Sequence, residues 1–369
     1  MKILYVGPFR DCSGYATAAR DYLNALHSVG ADIAARTIKF DAQDYPLTDL
    51  EKELHSKDVS GIDVIIQHTT PNTSKPKHGV KNLLYMAWET SLIPKSWKDP
   101  INAFDAVMVP CEMNVTALKD SGVTIPVHKV PHTFDLSKYE GPRQPKQLDV
   151  LKDKFVFYNI CQLTKKKGID RLLMAYFTEF RHDEPVGLML KVYVNANFGQ
   201  DDTQQVRQYI ETIKNGLKLN KYPKVYANTQ ILTERQILDM HKQFDCYVGP
   251  SRGEGWNLGA FEAMASGTPT LVTNWGGPCE YMDGCTPINY HLENVIGVSH
   301  VFEDHYTGRE LWAVPDIMSL KSKMRKAFSF GEGCIEPTGI EQAKRFSYDK
   351  IGCKMLDIVE GVHNEKVSV

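Results

Sequence analysis

Two glutamates eight residues apart mark the part of this chain best suited to chemistry: Glu254 in a glycine-rich turn and Glu262 in the helix that follows it. The segment from Cys246 to Thr270 reads as a strand, a turn, a helix from about Leu258 and a second strand entered through Pro269. In a parallel sheet ligands collect outside the carboxyl ends of the strands, and the first amides of a helix, here those of Asn257, Leu258 and Gly259, suit a phosphate. Gly253, Gly255 and Gly259 allow close approach to the backbone. Carboxylates near the positive end of a helix dipole can accept hydrogen bonds from sugar or ribose hydroxyls. The same spacing also suits a solvated loop glutamate followed by an ordinary first-turn charge, so spacing alone leaves both readings open.

Such a turn needs a sheet to hold it. Apolar runs at 3–6, 33–38, 63–67, 83–87, 106–109 and 127–130 alternate with helical patterns such as 15–28, the rhythm of a parallel sheet covered by helices on both faces. A polar stretch at 140–149 containing Pro142 and Pro145 breaks the pattern. It restarts with a strand at 155–161 and a helix at 169–180, then strands near 188–194, 225–227, 246–248 and 270–273. The expectation is two doubly wound α/β domains, 1–145 and 150–345. Residues 346–369 should supply a closing helix that packs back on the first domain, with Ile351, Met355, Ile358 and Val362 at helical spacing. Residues 283–312 read as loops with short strands.

The chain has 369 residues, 43 Lys plus Arg against 45 Asp plus Glu, with 42% apolar and 24% charged residues, the balance of an ordinary folded protein. Residues 1–150 hold 17 basic and 18 acidic side chains and the remainder 26 and 27, which argues against a polycationic nucleic-acid coat. The first residues are too short an apolar run for a secretory signal, and no membrane-length apolar run occurs, so a cytoplasmic protein without an integral membrane segment is expected. Eight cysteines without a C-x2-C pair read as reduced, mostly core thiols. Asp201-Asp202, the adjacent acidic pair in this part of the chain, reads as a loop or helix cap.

Glu254-x7-Glu262 followed by Ala263-Met264-Ala265-Ser266-Gly267-Thr268-Pro269 resembles glycosyltransferase family 4, the retaining nucleotide-sugar transferases of GT-B architecture. Further segments agree in order along the chain: Ser13-Gly14-Tyr15, Val130-Pro131-His132-Thr133-Phe134-Asp135, Lys167-Gly168-Ile169-Asp170-Arg171-Leu172-Leu173, Asn274-Trp275-Gly276-Gly277-Pro278-Cys279-Glu280 and Trp312-Ala313-Val314-Pro315-Asp316. The resemblance implies two Rossmann-like domains facing across a cleft, with a nucleotide-sugar donor held mainly by the second and the acceptor by the first. It implies that Glu254 meets the transferred sugar, Glu262 the ribose and Lys167 the diphosphate, with the amides around Gly14 and Asn257 to Gly259 completing the cradle. Positioned cations and amides stabilise the charge gained by a departing diphosphate, so no metal or other cofactor is expected.

Two departures from the family pattern stand out. Gln162 occupies the place of an arginine a few residues before the lysine, leaving Lys165, Lys166 or Arg252 to supply that charge. Trp88 and Glu89 stand where many members have a histidine; Glu89 could orient an acceptor hydroxyl or act as base. His68 and His132 also end strands and are further acceptor-side candidates. The expected reaction is transfer of a hexose or similar sugar, from a UDP-sugar first and a GDP-sugar second, to an acceptor hydroxyl. A soluble glycan precursor is one acceptor class. A hydroxymethylated pyrimidine in DNA is the other, with the lysines at 75, 77 and 81 and His78 as phosphate contacts. A non-catalytic nucleotide-sugar binding module is the lower alternative.

Overall fold

Six short runs rich in Ile, Val, Leu and Tyr build the first of two parallel sheets. They are β1 (Lys2–Gly7), β2 (Asp32–Thr37), β3 (Val64–His68), β4 (Lys81–Tyr85), β5 (Ala106–Val109) and β6 (Val127–Lys129), in the order β2-β1-β3-β4-β5-β6. All four residues of β5 are buried, as expected for a strand covered on both faces. Helices α1 (Gly14–Ser28), α2 (Asp49–Ser56), α3 (Lys98–Asn102) and α4 (Glu112–Asp120) accompany this sheet. Side chains set the starts of the first two: Ser13 Oγ accepts from the Ala16 amide at 3.2 Å, and Thr48 with Glu51 forms a reciprocal capping box.

The second sheet contains β7 (Phe155–Gln162), β8 (Val186–Tyr193), β9 (Lys224–Asn228), β10 (Cys246–Gly249), β11 (Thr270–Thr273) and β12 (Thr286–Ile288), in the order β12-β11-β10-β7-β8-β9. Its helices are α5 (Ile169–Glu179), α6 (Thr203–Leu217), α7 (Glu234–Gln243), α8 (Leu258–Ala265), α9 (Ile317–Ser329) and α10 (Pro337–Ala343). On one face, Phe155, Phe157, Leu188, Leu190 and Val192 bury against Leu172, Leu173, Tyr176, Leu320 and Met324. Each such side chain contributes about 1.5–3 kcal/mol on burial. Two further short strands, β13 (Tyr290–Asn294) and β14 (Leu311–Pro315), follow β12.

In this computed structural model, which describes residues 1–40, 44–194, 202–298 and 305–365, the chain divides into two units. One comprises Met1–Asp135, Asn294–Leu311 and Arg345–Val369, the other Leu136–Glu293 and Trp312–Lys344. The final helix, α11 (Tyr348–Asn364), packs on α1 of the first unit, where the Tyr348 hydroxyl donates to Asp21 at 2.6 Å. Its buried stripe is Ile351, Met355, Val359 and Val362; Ile358 sits at the stripe's edge, because 3.6 residues per turn carries the face to position 359. The eight cysteines are thiols and not disulfides, but Cys12, Cys279 and Cys353 are exposed rather than in the core. Their apolar neighbours in sequence do not decide which way a single side chain faces. Among the described residues no helix is long and apolar enough to cross a membrane.

Candidate active site

Glu254 lies in the turn that leaves the carboxyl end of β10, and it is almost buried. Its Oε1 receives two hydrogen bonds, from Ser251 Oγ at 2.7 Å and from Lys167 Nζ at 2.6 Å. The turn is fastened from behind: the Gly277 amide donates to the Glu254 carbonyl at 2.8 Å, and the Tyr281 hydroxyl donates to the Trp256 carbonyl at 2.8 Å. Gly277 is required there, since a Cβ would stand 2.2 Å from the Gly255 carbonyl oxygen. Asn257 then starts α8 in the left-handed region (φ 75°), a conformation tolerated by asparagine, and its side chain accepts from the Ala260 amide at 3.3 Å.

Lys167 reaches Glu254 from the end of β7, in a single 3-10 turn over Lys165–Lys167. Gly168 ends that turn at φ 67° and packs so closely on Pro250 that a Cβ would lie 1.9 Å from its carbonyl oxygen. Arg252 knots the same segments together. Its guanidinium forms a fork on Asp170, at 2.9 and 2.6 Å, and also bonds the Lys165 carbonyl, while its amide donates to the Lys166 carbonyl at 2.7 Å. Arg252 is 4% exposed and, with Lys165, lies over the Trp312 ring. The side chain expected among the donor contacts is thus committed to an internal carboxylate, and its visible work is to fix the lysine-bearing loop. Asp170 and Ser251 were assigned no role from sequence; the K-G-x-D and S-x-x-E spacings were their available signal.

Glu262 is on α8, where its Oε2 lies 3.3 Å from Nε2 of the buried His241 on α7; the other ring nitrogen meets the Tyr158 hydroxyl at 2.9 Å. Leu258 and Gly259 form the first turn of α8, half-buried. Nothing in the sequence around His241 marks it as Glu262's partner, because the pairing is made across two helices. At Gln162 the side-chain amide donates to the Val194 carbonyl at 3.3 Å. Beside it, burial pushes the Cys161 thiol up to about 12, with Lys167 opposing and Glu254 reinforcing the shift. Asp202 is buried, and its Oδ2 accepts from the Val194 amide at 2.5 Å; Asp201 lies outside the described residues.

In the first unit Gly14 is exposed at the start of α1. Next to it the Tyr15 hydroxyl accepts from the Ala87 amide at 2.9 Å; burial raises the phenol's pKa, the Ala87 amide opposes the rise and the charge of Glu89 adds to it. Glu89 is half-buried and within electrostatic reach of the Tyr15 phenol; of these two, the sequence reading named Glu89 alone as an acceptor-side candidate. Trp88 faces the other way. It is 3% exposed in an apolar cluster with Trp97 and Ile101, and Asn114 clamps its backbone by accepting from the Trp88 amide (3.0 Å) and donating to its carbonyl (2.7 Å). That placement makes Trp88 a core residue instead of an acceptor-site wall. His68 and His132 are buried among Tyr5, Tyr22 and Tyr85; His68 Nδ1 meets the Tyr5 hydroxyl at 2.9 Å. Burial pushes His132 down to about 3 and His68 well below its ordinary value, so both are neutral structural rings at neutral pH.

Comparison with known proteins places this geometry. Residues 141–283 match the family model "Glycosyl transferases group 1". Mannosylfructose-phosphate synthase of Agrobacterium fabrum is 28% identical over 156 residues, which is 41% of this chain and 33% of that protein, so the match spans about a third of the relative's length. Sucrose-phosphate synthase from Thermosynechococcus elongatus superposes with a TM-score of 0.65 at 15% identity, covering 98% of this chain and 99% of that one. Anabaena HepE, solved in complex with UDP and glucose, superposes at 0.64 and 15% identity, covering 98% and 100%. Residues 141–283 of this chain are thus similar to the group 1 glycosyl transferases, and the chain as a whole has the fold of the two solved structures.

Proposed function

We propose that this protein is a retaining glycosyltransferase that moves a hexose or similar sugar from a nucleoside diphosphate donor, UDP-linked first and GDP-linked second, to an acceptor hydroxyl without a metal. The observation that carries the reading is the Lys167–Glu254 pair, set at the carboxyl ends of β7 and β10 beside the amino terminus of α8. Lys167 is positioned to neutralise the departing diphosphate, and Glu254 to accept hydrogen bonds from the transferred sugar. Leaving-group charge is what such a site must stabilise, because the bond cleaves through an oxocarbenium-like state. Glu262, braced by His241, is the ribose contact in this reading. The UDP and glucose bound in HepE support the choice of donor.

Thermal melting against UDP-, GDP-, ADP- and dTDP-sugars, with and without EDTA, tests the donor site. A donor at about 100 times its dissociation constant adds about 2.7 kcal/mol of stability. The expected result is stabilisation by one nucleotide class, unchanged by EDTA and lost in Lys167→Ala; no shift with any nucleotide at millimolar concentration would refute the assignment. Glu89, with Tyr15 beside it, is the proposed acceptor-side group. The acceptor itself is to be found by a turnover screen that includes soluble sugars and sugar phosphates. Lys75, Lys77 and His78 are exposed on one loop, so DNA carrying hydroxymethylated pyrimidines belongs in that screen.

A further inference from the structure

Lys191 is a charge inside an otherwise apolar strand. Leu188, Leu190 and Val192 of β8 point into the cluster under α5 and α9, so Lys191 points to the opposite face, in register with Ile160 of β7. The amino terminus of α8 lies over that same Ile160: a Cβ on Gly259 would be 3.6 Å from the Ile160 carbonyl oxygen. Lys191 is 6% exposed, and the contact it makes is with the Tyr193 ring, 5.8 Å from Nζ. Among the described residues no carboxylate comes within 4.0 Å of its ammonium. Asp202, the nearest in effect, has one oxygen on the Val194 amide and the other buried without a partner. Burying an unpaired ammonium is costly, and the cost is recovered when an anion arrives.

We propose that Lys191 is a second cation of the donor site, facing the phosphates of the nucleotide received by Lys167 and α8. The inference rests on the donor reading given above. It supplies the charge that Gln162 lacks and that Arg252 has committed to Asp170. The charges of Lys191 and Lys167 both lower the pKa of the Cys161 thiol at the end of β7, so both lie within electrostatic reach of it. Burial lowers the pKa of Lys191, an effect an incoming phosphate would reverse.

The test is calorimetric titration of the full chain with a nucleoside, its monophosphate and its diphosphate, in the uracil and guanine series. Wild type, Lys191→Met, Lys191→Arg and Lys167→Ala are compared. Lys191→Met should weaken the diphosphate by about 10- to 100-fold, the monophosphate less and the nucleoside not at all, the range expected for one charge-assisted contact. Lys191→Arg should retain most of the affinity, and the ligand-free Met variant should melt no lower than wild type. Equal binding of the diphosphate by Lys191→Met and wild type would overturn the proposal. So would an equal loss for nucleoside and diphosphate, or a lower melting point with affinity intact. Failure of wild type to bind any of these ligands would instead overturn the donor reading itself, and the role of Lys191 with it.

Discussion

Both sheets are six-stranded and parallel, though their strand orders differ, and their carboxyl ends are furnished in opposite ways. The second sheet ends in charge: Lys167 on Glu254, Arg252 on Asp170, Glu262 by His241 and Lys191 beneath. The first ends in neutral rings, with Tyr5, Tyr22, Tyr85, His68 and His132 packed together and the Tyr22 and Tyr85 hydroxyls both donating to the Val130 carbonyl, at 2.9 and 3.0 Å. Paired charges suit a site that must meet a charged leaving group. A buried ring network suits a rigid platform, with Glu89 and Tyr15 left at its margin. A six-stranded parallel sheet can therefore carry either, and the side chains at the strand ends decide which.

The contrast should be largest in acid. His132 is held at about 3 by burial, against 6.5 ordinarily, so the native state refuses a proton that the unfolded chain accepts. Stability is then complete above pH 6.5 and falls as the pH drops toward 3, by up to about 5 kcal/mol from this group. Urea unfolding of wild type and His132→Asn at pH 7, 5 and 4 checks it: the gap between the two proteins should narrow with acid, and a constant gap would break the assignment. In the charged sheet, Lys167→Ala should lower kcat/KM on the order of 1000-fold while leaving the melting point nearly unchanged. A stability loss of similar size would make that pair structural instead.

Gly168→Ala should cost about 3 kcal/mol by thermal melting, because the new Cβ meets the Pro250 carbonyl and the backbone is left-handed there. A neutral result would mean that the Lys167 loop is not held as described. The smallest effect is expected at the margin of the first sheet. Glu89→Gln should reduce turnover about 10-fold or more with little change in stability, as for loss of one general base or orienting group. By contrast, Trp88→Ala should cost about 3–5 kcal/mol as a core truncation. Reversal of that pair would exchange the roles assigned to the neighbours.

Much of the fold was legible because the strands are short, apolar and buried on both faces, so β5 and β11 stand at the residues their patterns mark. Helices α6, α7 and α9 were not individually marked. Their amphipathic stripes are diluted by Lys, Gln and Arg, and α7 shows itself mainly through the capping box of Thr233 with Gln236. At the site, the motif residues Lys167, Glu254 and Glu262 were readable from type and spacing. Their partners Ser251, Asp170 and His241 were less so, because a hydrogen bond between loops leaves no period in the chain. Trp88 and Glu89 show the limit most plainly: adjacent residues at a strand end face opposite ways, and the clamp by Asn114, 26 residues on, settles which goes inward.

The sequence by itself determined the order of strands and helices, the glycine-marked turns and the residue types that stand at those turns, since these follow from local pattern and backbone sterics. Only the tertiary structure decided which charges are committed to one another and which stand ready. Arg252 and Lys191 are both cations close to the same strand ends, but one is forked onto Asp170 and the other is buried without a carboxylate. That distinction depends on distances between segments far apart in the chain and on the exclusion of water from around them, quantities that exist only once the sheet has closed under its helices.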